Sequence, residues 1–99
     1  MVDNFPLAKH FEQAAADIKT HGKSMNNDDM AKCYGLFKQS NLGDLKDNNV
    51  TEPSFYQFTE KGKYNAWKAE EGKSKDQAKQ EYVELCLKYF PDDVKKNYN

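Results

Sequence analysis

The chain contains no arginine. Any site for a phosphate must therefore use lysine as a point charge, without the two-pronged fork of a guanidinium. A charge excess is missing too: 15 basic side chains stand against 16 acidic ones, for a net charge of −1. Nucleic-acid binding needs a basic excess or a basic stripe, so that class of function is not expected. No run approaches the about eighteen apolar residues of a membrane-spanning helix, and stable membrane insertion is not expected either. Cysteine is scarce: Cys33 and Cys86, taken with His10 and His21, fall at no metal-ligand spacing. No charged-then-apolar leader opens the chain. The expectation is a cytoplasmic protein without a metal or cofactor, its two thiols reduced and structural.

Apolar residues are also few, at 37%, while charged residues make up 31%. A core can then come only from narrow stripes on amphipathic elements. The 13% aromatic fraction compensates, because each aromatic ring buries a large area. The 99 residues fit one domain, expected to span 1–99 with a core over about 5–90 and a polar tail over about 91–99.

The pattern reads as four helices. The first is expected from about Pro6 to His21: proline suits a first turn, Phe11, Ala14, Ala15 and Ile18 make one apolar stripe, and Gly22 ends it. The second begins after Asn26-Asn27, where asparagine can cap free N–H groups and Asp28 and Asp29 meet the positive end of the helix dipole. Its stripe is read as Met30, Cys33, Tyr34 and Phe37, with Gly43 as a left-handed stop. Residues 44–59 form the longest break, and Phe55, Tyr56 and Phe58 are expected to pack it against the domain. The third helix is expected over about Glu60 to Glu71, with Tyr64 and Trp67 on one face and Gly72 as its stop. The fourth starts at a capping box, Ser74 to Gln77. It carries Ala78, Tyr82, Leu85, Cys86 and Tyr89 at helical spacing and ends near Phe90 before Pro91. The tail from Asp92 to Asn99 is expected to fray. No alternation long enough for a strand is present, so the fold class is all-α, a small single-domain four-helix bundle.

No catalytic constellation stands out. Neither histidine lies beside a cysteine or serine in a recognisable motif, and Lys61-Gly62-Lys63 lacks the pattern of a phosphate loop. Two segments carry the remaining chemistry: Tyr34-Gly35-Leu36-Phe37-Lys38-Gln39 with Gly43-Asp44, and Lys61-Gly62-Lys63-Tyr64-Asn65-Ala66-Trp67. Tyr34 and Lys38 are four apart, as are Lys63 and Trp67, so each pair shares a helix face. Spacing leaves two readings open. In one, the rings are core and the lysines snorkel outward. In the other, the lysines grip phosphates at the rim of a pocket with an apolar floor.

Together with Gly72-Lys73-Ser74-Lys75, Ala78 and Tyr82, these segments resemble the acyl-CoA-binding protein family from Phe11 to about Tyr89. The resemblance implies a four-helix bundle that binds long-chain fatty acyl-CoA without catalysis, as a monomer that pools the ligand and delivers it to acyl-CoA-using enzymes. It implies that Tyr34, Lys38, Lys63 and Tyr82 grip the ribose 3′-phosphate, that Ala15 and Lys19 contact the ligand from the first helix, and that Phe11 is core. It also implies that the ring of Phe37 packs on the adenine or pantetheine. Three departures stand out: Phe37 lacks the hydroxyl of the family's tyrosine, Ala31 and Lys32 replace large apolar residues, and the 44–59 loop is longer than usual. Rival readings are a helical protein-interaction module that lost the ligand, and an acyl-CoA hydrolase.

Overall fold

A computed structural model describes residues 4–54 and 56–98. Four helices of substantial length appear in the expected order: α1 (Phe11–His21), α2 (Asn27–Leu42), α3 (Phe58–Lys68) and α4 (Lys75–Leu87). A short α5 (Asp92–Lys95) follows, and 3-10 turns at Ala8–His10 and Leu45–Asp47 complete the elements. No strand occurs among the described residues. The central helix is α2, packed against both α3 and α4, while α1 packs on α4.

The expected caps form. The Asn26 side chain accepts from the Asp29 N–H at 2.8 Å, and the Ser74 hydroxyl accepts from the Gln77 N–H at 3.0 Å. Each satisfies one orphan donor of a helix start. Gly43 ends α2 with φ +78°, a conformation costly for a side-chain-bearing residue. At Gly35 the backbones of α2 and α3 almost touch: a Cβ there would stand 2.1 Å from the Ala66 carbonyl oxygen.

The core gathers Phe11 and Ala14 of α1, Leu36 of α2, and Ala78, Tyr82, Val83 and Cys86 of α4, with Phe90 and Tyr98 closing one end. A polar seam then ties α2, α3 and α4. Glu70, only 1% exposed, accepts from Lys32 Nζ at 3.0 Å and from Lys73 Nζ at 2.6 Å. Lys73 also donates to Glu81 at 2.6 Å. Beside it, Gln39 Nε2 donates to Asp44 Oδ1 and to the Lys73 carbonyl, both at 2.8 Å.

Five expectations are corrected. The stripe Met30, Cys33, Tyr34, Phe37 is not the buried face of α2: Met30 is 50% exposed and Phe37 39%, and of the four Cys33 packs, partly buried, against the core. Gly35, Leu36, Gln39 and Ser40 are buried instead; the Ser40 hydroxyl donates to the Leu36 carbonyl at 2.6 Å, and the Gln39 amide nitrogen is bonded while its Oε1 has no partner among the described residues. The loop aromatics do not pack inward, since Tyr56 is 69% and Phe58 82% exposed; Phe55 lies outside the described residues. Leu45 is buried in their place and anchors that loop.

Helix α3 starts two residues early, at Phe58, and ends at Lys68, because 3-10-type bonds such as Glu70 N–H to the Trp67 carbonyl tighten its last turn. The tail does not fray over its described part. Pro91 precedes α5, and Tyr98, 4% exposed, packs its ring 5.5 Å from Phe90. The Tyr98 hydroxyl donates to Asp17 Oδ2 at 2.5 Å. At the start of the chain the first expected turn is 3-10, with the Leu7 N–H donating to Gln80 Oε1 at 2.6 Å.

Candidate functional site

Two clefts flank α2. The first lies between α2 and α3 and encloses about 670 Å³, lined by Met30, Ala31, Tyr34, Phe58, Lys63 and Ala66 among others. A smaller hollow of about 250 Å³ shares Tyr34 and Lys63 with it and adds Lys38, Tyr64 and Trp67. Trp67 is fixed there by its indole N–H, which donates to the Gly43 carbonyl at 2.9 Å. Lys38 Nζ stands 5.8 Å from the ring centroids of both Tyr34 and Trp67. Lys63 Nζ reaches the Tyr34 ring at the same 5.8 Å. Two ammonium groups thus converge on one tyrosine at the edge of a largely apolar groove, attracted by the negative faces of the rings.

The second cleft, of about 470 Å³, opens between α1, α2 and α4. Its floor is aromatic: Phe11 lies 5.7 Å from Phe37 and 5.0 Å from Tyr82, and Phe37 lies 6.1 Å from Tyr82. Ala15 and Lys19 line it from α1, Asn41 from α2 and Lys79 from α4. Burial pushes the Tyr82 phenol well above its ordinary range, and its contact with the Cys86 thiol acts in the same direction. The hydroxyl therefore stays a neutral donor. Beneath it, a hydrogen bond from Cys86 draws the Cys33 thiol downward, while that bond and burial push Cys86 up. Both cysteines are free thiols.

The sequence-derived residues therefore fall into two groups. Tyr34, Lys38 and Lys63 come together between α2 and α3. Ala15, Lys19, Phe37 and Tyr82 come together on the other side of α2. Tyr82 does not line the α2/α3 cleft. Sequence reasoning passed over Lys79 and Asn41 in one cleft and Phe58 in the other. Lys79 did carry a signal, being three residues before Tyr82 and so on the same helix face. Phe58 carried none once it was assigned to the loop.

The lysines sort by partner. Lys32, Lys61, Lys73 and Lys88 are each paired with a carboxylate. Lys19, Lys38, Lys63 and Lys79, all lining clefts, have no ion-pair partner among the described residues. Such cations can meet an anionic ligand without first breaking an internal bond. Among the described residues no cluster of His, Cys, Asp and Glu could hold a metal ion, and no helix is long and apolar enough to cross a membrane.

Comparison with known proteins adds a second line. Residues 8–86 match the family model described as "Acyl CoA binding protein". The chain is 42% identical over 84 residues to the acyl-CoA-binding protein of Gossypium hirsutum, covering 85% of this chain and 91% of that one. It is 45% identical over 75 residues to the acyl-CoA-binding protein of Dictyostelium discoideum, covering 76% and 86%. Among solved structures, the fold superposes on the crystal structure of Oryza sativa acyl-CoA-binding protein 2 with a TM-score of 0.76 at 30% identity, covering 92% and 93% of the two chains. It superposes on that of the Moniliophthora perniciosa protein with a TM-score of 0.72 at 32% identity, covering 89% and 88%.

Proposed function

The chain belongs to the acyl-CoA-binding protein family, and from that premise we propose that it binds long-chain fatty acyl-CoA esters without transforming them. Its role is that of a cytoplasmic, monomeric pool former and transporter that passes acyl-CoA to the enzymes using it. Residues of about 5–90 carry the binding domain. The observation that carries this reading is the set of carboxylate-free lysines held over aromatic rings beside an apolar groove. That arrangement suits a ligand with phosphates, a flat base and an aliphatic tail.

The two parts of the ligand use different physics. Lys38 and Lys63 supply charge to phosphate oxygens beside the Tyr34 hydroxyl, and charge-assisted bonds of this kind are about twice as strong as neutral ones. The aromatic floor of Phe11, Phe37 and Tyr82 offers a stacking surface, with Ala15 leaving room for it and Lys19 at its edge. The tail leaves water for the groove of Met30, Ala31 and Phe58. Each CH₂ buried there gains about 0.8 kcal/mol, less the ordering cost of binding.

A non-catalytic role fits the placement of the nucleophiles and bases. Cys86 is fully buried, its free thiol hydrogen-bonded with that of Cys33. His10 and His21 pack edge-on against Tyr98 and Phe90 and line neither cleft. Native mass spectrometry of the protein purified from an expressing cell tests the reading. The expected spectrum shows the intact acyl-CoA mass carried through purification. A protein that stays bare after incubation with a long-chain acyl-CoA, or that releases free CoA and fatty acid, overturns it.

A further inference from the structure

Lys79 is the one cleft lysine that the family motif does not include. We propose that Lys79 is a further ligand-binding residue, gripping a phosphate of the nucleotide end from α4 while Lys19 approaches from α1. The proposal rests on the acyl-CoA-binding reading and adds a residue to it.

Placement is the first support. Lys79 lies three residues before Tyr82, so both side chains enter the α1/α2/α4 cleft from one face of α4. Lys19 enters the same cleft from α1. A ring stacked on Phe37 and Tyr82 would have a lysine on each flank.

The electrostatic state of Lys79 is the second. Its Nζ sits 5.7 Å from the Phe11 ring centroid, the same kind of hold that Lys38 and Lys63 have on Tyr34. It is half-buried and has no ion-pair partner among the described residues. Glu12 shares the cleft yet forms no ion pair with either lysine among the described residues. The ammonium is held over a ring face and bonded to no carboxylate among the described residues. A phosphate oxygen completes it.

Third, Phe37 presents a bare ring to this cleft. A charge-assisted bond from Lys79 exceeds the neutral hydroxyl bond that a tyrosine there would make. The α1/α2/α4 cleft thus regains on α4 the polar contact it forgoes on α2.

The test is calorimetry on the full chain, comparing wild type with Lys79→Met, whose unbranched stem still covers Phe11. With CoA as titrant, the variant is expected to bind on the order of tenfold more weakly, with a shallower dependence on NaCl concentration. Lys79→Arg should restore the affinity and salt slope, and Lys79→Gln should not, which separates charge from packing if the methionine variant loses stability. Dephospho-CoA identifies the group held. A penalty that disappears with it places Lys79 on the 3′-phosphate, and a penalty that persists places it on the diphosphate. A variant matching wild type in affinity and salt slope overturns the role of Lys79 while leaving acyl-CoA binding intact. A wild-type protein that binds neither CoA nor acyl-CoA overturns both.

Discussion

The seam joining α2, α3 and α4 and the clefts on either side of α2 use the same side chain to opposite ends. In the seam, Lys32 and Lys73 close on Glu70, and Lys73 on Glu81. Every charge there is spent inside the fold. In the clefts, Lys38, Lys63 and Lys79 rest on rings and keep their charge available. A lysine locked to a carboxylate holds helices in place. A lysine parked on an aromatic face is partly desolvated and poised for an anion. The distinction also accounts for Lys32, which stands where the family carries a large apolar residue. It is the α2 half of a bridge to a buried Glu70, so Lys32 has a structural role whether or not a ligand binds.

The sharpest way to break this comparison is to change one member of each set and measure both stability and binding. Glu70→Ala removes the centre of the seam. Losing one partner of a fully buried pair costs about 3–5 kcal/mol. Because the Lys32 side chain is 45% exposed and can rehydrate, a loss of about 2–3 kcal/mol is expected in urea unfolding, with affinity for CoA kept. Lys63→Ala should do the reverse. CoA and acyl-CoA should both bind roughly tenfold or more weakly by calorimetry, with the unfolding midpoint unmoved. An unchanged affinity would remove Lys63 from the site.

Smaller effects refine the picture. Phe37→Tyr places a hydroxyl on the rim of the α1/α2/α4 cleft. One added hydrogen bond, worth about 1 kcal/mol, should tighten binding by about fivefold. Equal or weaker binding would show that the bare ring is the better surface in this chain. The smallest effect is expected at the Tyr98–Asp17 contact. The Tyr98 hydroxyl, with the Gln13 amide, holds the Asp17 carboxyl below its ordinary value of 3.8. A lowered carboxylate contributes stability above that value and loses it as pH falls through the lowered pKa. Tyr98→Phe should therefore cost about 0.5–1 kcal/mol near neutrality and leave a shallower fall in melting temperature below about pH 4. Identical acid limbs would detach Tyr98 from Asp17.

Much of the fold was legible because its signals are local. Asn26, Ser74, Gly43 and Pro91 mark their boundaries through cap geometry and restricted backbone. The Phe11–Ala14 stripe finds the core because α1 buries apolar residues at helical spacing. Legibility failed on α2, where Gln39 is buried with its amide nitrogen bonded, Ser40 is buried with its hydroxyl bonded, and Gly35 is buried for close approach to Ala66. None of these is hydrophobic enough to mark an inner face. Of the apolar stripe that the sequence does show, Met30, Tyr34 and Phe37 line the clefts, and Cys33 turns to the core. The tail was misread because one residue, Tyr98, ties it down through contacts with residues distant in sequence. Within the site, motif spacing identified the lysines beside Tyr34, but the division of residues between two sides of α2 depends on how three helices meet.

The most direct test of the account is a calorimetric titration with acyl-CoAs of increasing chain length, beside free CoA and free fatty acid. Affinity should rise by about fifteenfold for each pair of buried CH₂ groups, until the α2/α3 groove is filled or binding costs intervene. Free CoA should bind more weakly than any long acyl-CoA, and free fatty acid weakly or not at all. No binding of a long acyl-CoA at micromolar concentration, or an affinity equal to that of free CoA, would contradict it.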